Sequence, residues 1–548
     1  MPVWLVISAA CGVVLALPFR CYDGSLPAWV ALAPVFWIVV RAEKLALALL
    51  CAAGFALTWT ALCFSFLWPL TPGGMIALCL YTSLFYVAAL WAVRRLAHLS
   101  TGAAVFGTAT LWALVEMLRA GVPVFGFPWL LLGHTLLYDE RLRQGADLLG
   151  VYGLSFLIAA VNACIAFALP AWLPPTWGAL RPTPSAPREG AGGRGTERRN
   201  AWHSCSAVAV LFIGMFFYGA VRIASLTPQL VAGPPIGVIQ GNIAQKLGRS
   251  DEELTEQLRG HLELHRKLAH PARPEDKPVL ICWAETMVPG YINCDPWGEE
   301  FKREVAASGI PTLAGSNFWV AADPARPDAE PRSYNGAFMF DGKGDQVLHY
   351  FKRHLVPLGE YIPFAQRFPL LRTLRSVTRD QYAPGAVPCP AVRLVSSPSP
   401  PGSGHALSVN ICVEDIHPDI AREAILSGSS VLINLTNDGW FCGTYGPRSH
   451  MQAAAWRAVE TRCPLLRVTN TGLTVAVDPL GGIELLVPEE TAGTAVVRLR
   501  SIASGTTAGT GPIARTLALL LGGAGEASIF AGVLLYLLLR HRRRLLRA

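Results

Sequence analysis

Ser408-Val409-Asn410-Ile411-Cys412-Val413-Glu414-Asp415 is the stretch around which the rest of the chain is organised. Apolar residues run into one cysteine, and two acidic residues follow at once. The pattern predicts a buried strand that stops at a sharp turn and presents a thiol. A single strand-end cysteine is more often a small packing residue than a nucleophile. Its meaning therefore depends on what else ends beside it.

Working outward, composition separates a membrane part from a water-facing part. The 548 residues are 52% hydrophobic and 15% charged, against roughly 25% charged in a soluble protein. Charges are sparse over residues 1–120, whereas residues 240–380 have the composition of a soluble enzyme. The net charge of +8 does not point to nucleic acid. Its arginines sit between apolar runs and in a terminal cluster at 540–547, the pattern of membrane orientation, and no aromatic-basic interleaving accompanies them.

Apolar runs at residues 3–18, 26–40, 45–68, 74–93, 103–118, 148–173, 206–223 and 516–539 predict eight spans, the first two short for the ~20 residues a bilayer helix needs. With a cytoplasmic N-terminus, the inside loops hold Arg41, Lys44, Arg94, Arg95, Arg181, Arg188, Arg194, Arg198 and Arg199. The basic tail falls on the same side, as the positive-inside rule requires, and the long segment before the last span lies outside the cytoplasm. The expected domains are a transmembrane part over 1–223, an external domain over 224–512, and a final span with a cytoplasmic tail over 513–548. Residues 174–202 are Pro-, Gly- and Arg-rich and predict a disordered cytoplasmic loop. Glu116, with Arg119 one turn later, and Glu526 are charges inside apolar runs and so functional suspects, with a paired structural charge as the rival reading of Glu116.

The external segment alternates strands and helices, which predicts an α/β layered domain. Strands are expected at 236–243, 279–285, 312–317, 335–340, 346–352, 406–412, 431–437, 465–469 and 473–478. Helices are expected at 251–269, 418–426 and 447–461. Six of the thirteen cysteines fall in this part (Cys282, Cys294, Cys389, Cys412, Cys442, Cys463). A disulfide among them stays open. No CxxC, HExxH or Cys/His ligand spacing is present, so no metal and no cofactor is expected.

Three predicted strands end abruptly in a reactive side chain. Val279-Leu280-Ile281-Cys282-Trp283-Ala284-Glu285 ends in a carboxylate, Val347-Leu348-His349-Tyr350-Phe351-Lys352 in an amine, and the opening stretch in a thiol. Strand ends at one edge of a sheet converge although far apart in sequence. A Glu to take the thiol proton, a thiolate to attack a carbonyl and an ammonium to stabilise the oxyanion would make a working set.

These residues carry a resemblance. Trp283-Ala284-Glu285-Thr286, the stretch from Tyr350-Phe351-Lys352-Arg353-His354-Leu355 through Gly359-Glu360-Tyr361-Ile362-Pro363, and Asn410-Ile411-Cys412-Val413-Glu414 resemble the three signatures of the carbon–nitrogen hydrolase (nitrilase) superfamily. The long lysine motif is most similar to its membrane-embedded branch, the apolipoprotein N-acyltransferases. Gln240-Gly241-Asn242-Ile243, Asn437-Asp438-Gly439-Trp440-Phe441, Arg467-Val468-Thr469-Asn470-Thr471-Gly472, Gly150-Val151-Tyr152-Gly153 and the eight spans resemble that branch as well. One departure is Gly248-Arg249-Ser250, where the family often has an aromatic residue.

The resemblance implies a four-layer αββα sandwich joined to the polytopic helical membrane domain. It implies a monomeric enzyme of the bacterial inner membrane, with its catalytic domain periplasmic. It also implies a two-step transfer. Cys412 takes an acyl chain from a phospholipid as a thioester, and the α-amine of an apolipoprotein's S-diacylglyceryl-cysteine then accepts it, the last step of lipoprotein maturation. Glu285 maps to the general base, Lys352 to the oxyanion-stabilising lysine and the Val413 N–H to a second oxyanion donor. Glu360 and Glu414 match carboxylates that orient Lys352 and tune the thiol. The apolar segment 355–371, with Tyr361, and the pair Trp440 and Phe441 suit a lid or substrate contact at the membrane surface. The rivals are a membrane-tethered amidase or nitrilase, a transporter with a sensor domain, and a Cys-His hydrolase using His417 or His450.

Overall fold

A computed structural model describes residues 2–20, 24–169, 191–246, 248–322, 331–365, 367–368, 370, 381–393, 406–503 and 516–545. The chain forms two compact units, one of residues 1–225 with 517–548 and one of residues 226–516.

The first unit is helical: α1 (Pro2–Arg20), α2 (Leu32–Arg41), α3 (Leu45–Phe64), α4 (Pro72–Leu96), α5 (Thr101–Ala120), α6 (Ala146–Phe167) and α7 (Ala191–Leu226). The final helix of the chain, α12 (Leu517–Leu545), belongs to this unit too. Among the described residues, seven helices are long and apolar enough to cross a membrane. The eighth expected span falls on Leu26–Arg41, a shorter apolar helix of a 3-10 turn followed by α2. Its length, about 24 Å at 1.5 Å per residue, is less than the ~30 Å hydrocarbon core. The start of α2 within it is nonetheless satisfied, because Asn162 Oδ1 accepts from the Leu32 and Ala33 N–H groups at 2.9 Å each. Arg94 closes its other end on the carbonyls of Val39 and Ala42, both at 2.7 Å.

Glu116 and Arg119 are fully buried in α5. They grip the irregular chain that follows. Glu116 Oε1 accepts from Trp112 Nε1 at 3.0 Å and from the Leu132 N–H at 2.8 Å. Arg119 donates to the Phe127 and Trp129 carbonyls at 2.8 and 2.6 Å. Backbone without helical partners inside an apolar bundle needs such groups, so both charges have a structural task. Glu526 is buried in α12. The loop expected to be disordered over 174–202 is helical from Ala191 onward, where it extends α7. Residues 174–190 of that expectation lie outside the described residues.

The second unit contains two sheets. Its strands are β1 (Leu230–Gln240), β2 (Leu280–Trp283), β3 (Val288–Tyr291), β4 (Thr312–Val320), β5 (Arg332–Phe340), β6 (Gln346–Phe351), β7 (Val392–Arg393), β8 (Ala406–Ile411), β9 (Val431–Thr436), β10 (Leu465–Thr469), β11 (Thr474–Val477), β12 (Ile483–Val487) and β13 (Gly493–Ile502). Its helices are α8 (Asp251–Ala269), α9 (Pro296–Ser308), α10 (Pro418–Leu426) and α11 (Gly446–Thr461). The first sheet has the order β13-β1-β2-β4-β5-β6, with β3 beside β4, and the second β12-β11-β10-β9-β8-β7.

The strands β8, β9 and β10 are parallel and buried on every residue. Strands covered on both faces lose the in-out alternation of a half-exposed sheet. One apolar core joins the facing sheets: Val238, Leu280 and Cys282 from the first, Val409, Ile411, Ile433, Leu435 and Val468 from the second. Outside the first sheet, Trp283 packs against His261 of α8 at 5.2 Å and Phe301 of α9 at 5.0 Å. The helices α10 and α11 pack with the second sheet. This is the αββα layering that the resemblance implies. The strands β3, β7, β12 and β13 and the helix α9 were not among the expected elements, and β13 is the antiparallel neighbour of β1. The twelve described cysteines are free, so no disulfide joins the described external cysteines.

Candidate active site

The C-terminal ends of four strands, two from each sheet, converge here. Glu285 lies two residues beyond β2, Lys352 one beyond β6, Cys412 one beyond β8 and Asn437 one beyond β9. The sequence places a polar residue wherever an apolar strand stops, and the parallel order of the strands sends those ends to one side.

Cys412 has φ +52°, a left-handed conformation that costs a non-glycine residue about 1–3 kcal/mol. It opens the 3-10 turn Cys412–Ile416. Two contacts hold that turn. Glu414 Oε2 accepts the Ile411 N–H at 2.8 Å, and Asn434 Nδ2 donates to the Cys412 carbonyl at 2.9 Å. Because a trans peptide sets C=O and N–H in opposite directions, fixing the Cys412 carbonyl also fixes the direction of the Val413 N–H.

Glu285 is 5% exposed. Its Oε1 accepts from Asn335 Nδ2 at 2.7 Å and Lys352 Nζ at 3.4 Å, and its Oε2 accepts from the Asn437 N–H at 2.8 Å. Gly315 of β4 makes room for it. A Cβ there would lie 2.6 Å from Glu285 Cα. Lys352 is 1% exposed and lies closer to Glu360 Oε1, at 2.8 Å, than to Glu285. Glu360 Oε2 is occupied by the Val356 N–H at 2.8 Å. Asn335 also reaches Glu360 Oε1 at 3.4 Å.

The electrostatics follow from burial. Desolvation pushes the Glu285 carboxyl up, Lys352 pulls it down and Glu360 pushes it up again. Desolvation likewise pushes the Cys412 thiol up, and Glu285 adds to this while Lys352 opposes it. Burial works against the Lys352 charge, but Cys412, Glu360 and Glu285 together hold it well above the ordinary lysine value. The site thus sets a thiol, an ammonium and a carboxyl group side by side in a poorly hydrated space.

Glu414 acts through the backbone of both strand ends. It forms no ion pair with Lys352 among the described residues. Its Oε1 accepts from Tyr350 Oη at 2.8 Å and from the Arg353 and His354 N–H groups at 2.7 and 3.1 Å. With Ile411 on Oε2, one buried carboxylate ties the lysine strand end to the cysteine strand end. Tyr361 is half-buried and its carbonyl accepts the Leu358 N–H at 2.8 Å. Trp440 and Phe441 are half-buried on the turn Asp438–Phe441. Val356, Leu358, Phe364, Phe368 and Leu370 expose large apolar side chains. The rest of the segment expected to form a lid, residues 366, 369 and 371, lies outside the described residues.

Behind the cysteine turn lies a buried charge cluster. His450 lies 2.8 Å from Asp438 Oδ1 through Nδ1 and 3.0 Å from Asp415 Oδ1 through Nε2. Arg467 donates to Asp415 Oδ2 at 3.1 Å and Asp438 Oδ2 at 3.0 Å. His450 is thereby committed to two aspartates, which removes it as the base of the Cys-His reading. Asn470 Nδ2 donates to Asn437 Oδ1 at 3.0 Å and to the Ile243 carbonyl at 2.7 Å. The motifs at 240–243, 437–441 and 467–472 are thus one scaffold under the loop that holds Glu285. Asn335 and Asn434 were missed by sequence reasoning: each is one polar residue inside a strand, with no local pattern to single it out.

Two family models match the chain. Residues 11–164 match the apolipoprotein N-acyltransferase N-terminal domain, and residues 236–506 match carbon-nitrogen hydrolase. The apolipoprotein N-acyltransferase of Geobacter metallireducens is 31% identical over 490 residues, 87% of this chain and 85% of the relative. That of Bradyrhizobium diazoefficiens is 31% identical over 419 residues, 76% of this chain and 71% of the relative. A crystal structure of an amidase from Nesterenkonia sp. is 18% identical, covers 49% of this chain and 90% of its own, and has a TM-score of 0.34.

Proposed function

The chain belongs to the apolipoprotein N-acyltransferase family, and from that premise we propose that Cys412, Glu285 and Lys352 carry its N-acylation of lipoproteins through a thioester. Glu285 takes the Sγ proton as the thiolate attacks the ester carbonyl of a phospholipid. The oxyanion forms on Lys352 Nζ and the Val413 N–H. Collapse expels the lysophospholipid, which leaves with the proton from Glu285. In the second half-reaction the α-amine of the diacylglyceryl-cysteine attacks the thioester. Glu285 takes a proton from the amine and returns it to the departing thiolate.

The observation that carries this reading is the placement of Lys352. It is a buried ammonium held by Glu360, within reach of Glu285 and beside Cys412. The exposed apolar side chains of Val356, Leu358, Phe364, Phe368 and Leu370 support lipid substrates and a lid role for that segment. Tyr361, Trp440 and Phe441 fit the same surface. The arginine bias of the loops supports a periplasmic catalytic domain with both termini cytoplasmic in the inner membrane. The enzyme acts as a monomer, with phospholipid as donor and apolipoprotein as acceptor.

Mass spectrometry of the purified protein tests the reading. The expected result is a hydroxylamine-sensitive acyl adduct on Cys412 after incubation with phospholipid, discharged by a diacylglyceryl lipopeptide. Release of free fatty acid or ammonia from amides, with no transfer to the lipopeptide amine, would favour the tethered amidase instead.

A further inference from the structure

His354 and His417 stand outside the proposed chemistry, yet each follows one of its motifs. His354 lies two residues after Lys352, and His417 closes the turn that Cys412 opens. Both motif ends are tied to Glu414, through the His354 N–H to Oε1 at 3.1 Å and the His417 N–H to the Glu414 carbonyl at 3.1 Å. The rings consequently meet, with centroids 4.3 Å apart. Asp419, in the first turn of α10, brings Oδ2 to 3.7 Å from His354 Nε2.

His417 is the informative member. It is 7% exposed and packs its ring against that of His354.

We propose that His354, His417 and Asp419 form a divalent transition-metal site of the zinc class at the rim of the active site. One ligand atom from each residue lies within 4.8 Å of the others. On a tetrahedral ion with bonds of 2.0–2.2 Å, ligand atoms sit about 3.4 Å apart. Asp419 and His354 have 58% and 34% of their side chains exposed, which leaves them free to close that gap. Two imidazoles and one carboxylate suit zinc or copper rather than magnesium or calcium, which favour oxygen ligands. Three protein ligands leave a fourth position open to water. A bound ion would clamp the lysine and cysteine strand ends together from outside, as Glu414 does from within.

The sequence pattern did not show this site because its ligands come from two motifs 63 residues apart, with none of the close spacings that mark a zinc motif.

The test uses the full-length protein in detergent, stripped with EDTA and titrated with Zn²⁺ by calorimetry. One equivalent should bind. D419N and H354Q should each weaken binding roughly tenfold or more, the least expected from loss of a direct ligand. Asp419 is exposed, so D419N reports binding without risk to folding. Co²⁺ or Cu²⁺ in place of Zn²⁺ should give an imidazole-nitrogen signature by absorption or electron paramagnetic resonance. Absence of stoichiometric binding, unchanged affinity in D419N, or a thiolate signature from exposed Cys294 or Cys442 that accounts for all bound metal would overturn the proposal.

Discussion

Lys352 Nζ is bound to Glu360 Oε1 at 2.8 Å. Its distance to Glu285 is 3.4 Å. Glu360 therefore competes with the proposed base for the ammonium and keeps the base from being locked in an ion pair. Removing the charge with Glu360→Gln should let Lys352 move toward Glu285. Positional errors of about 1 Å cost up to ~10²-fold in rate, so kcat should fall roughly tenfold to a hundredfold. Glu360 also raises the Glu285 carboxyl. The acid limb of kcat/KM, set by Glu285 and lying above the ordinary carboxylate value of about 4.3, should thus move to lower pH in Glu360→Gln. A purely structural Glu360 would leave that limb where it is.

Cys412 and Glu285 differ in what they should leave behind. Cys412→Ala should give no adduct and no transfer. Glu285→Gln keeps the thiol but loses the proton acceptor, so single-turnover acylation should slow by about two to four orders of magnitude, the usual range for general base catalysis. Quenched-flow acylation with labelled phospholipid reads both. Transfer at the wild-type rate in Cys412→Ala would end the thioester mechanism.

These three residues were legible because each stands where an apolar strand abruptly stops, and the helices at 251–269 and 418–426 because they carry a continuous amphipathic pattern between turn residues. The rest depended on long-range pairing. Asn335 is one alternating residue of β5 until the fold sets it 2.7 Å from Glu285. Glu414 entered only through the resemblance, which named no contact for it. Its carboxylate in fact turns back to the backbone N–H groups of Ile411, Arg353 and His354, which only the pairing of the strand ends places within reach. In β13 the signal was present and overlooked: Val497 and Leu499 point inward between exposed Arg498 and Arg500. The helix extending α7 over 191–202 is a different failure. Glycine- and arginine-rich composition reports poor burial, and a helix continuing out of an apolar run does not need burial of that kind.

Arg467 is fully buried between Asp415 and Asp438. Arg467→Met would leave two buried carboxylates with only the His450 ring between them. Breaking a buried ion pair from one side costs about 3–5 kcal/mol. The catalytic domain should melt at a lower temperature and Glu285 should lose its anchor, since Asp438 follows the Asn437 N–H that holds it. Thermal unfolding by tryptophan fluorescence checks this, and a shift no larger than that of a surface arginine variant would contradict it.

The pH dependence of stability turns on His450. Burial works against its charge, but Asp415 and Asp438 outweigh burial and the repulsion from Arg467, so its folded value is raised above the ordinary histidine value. A raised value means that the stabilisation is fully present below about pH 6.5 and is lost as pH rises through the folded value. Asp438 runs the opposite way. Burial would raise it, but Arg467 and His450 hold it down to about 2, so its contribution persists above the ordinary value of about 3.9 and fades only as pH falls toward 2. Between these limits two aspartates face one arginine and one imidazolium, a balanced set. The wild-type domain should therefore lose melting temperature on the alkaline side of neutrality. His450→Gln should melt lower at pH 6 and show a flatter profile from pH 6 to 9. Parallel profiles for the two proteins would mean that His450 is neutral in the folded state.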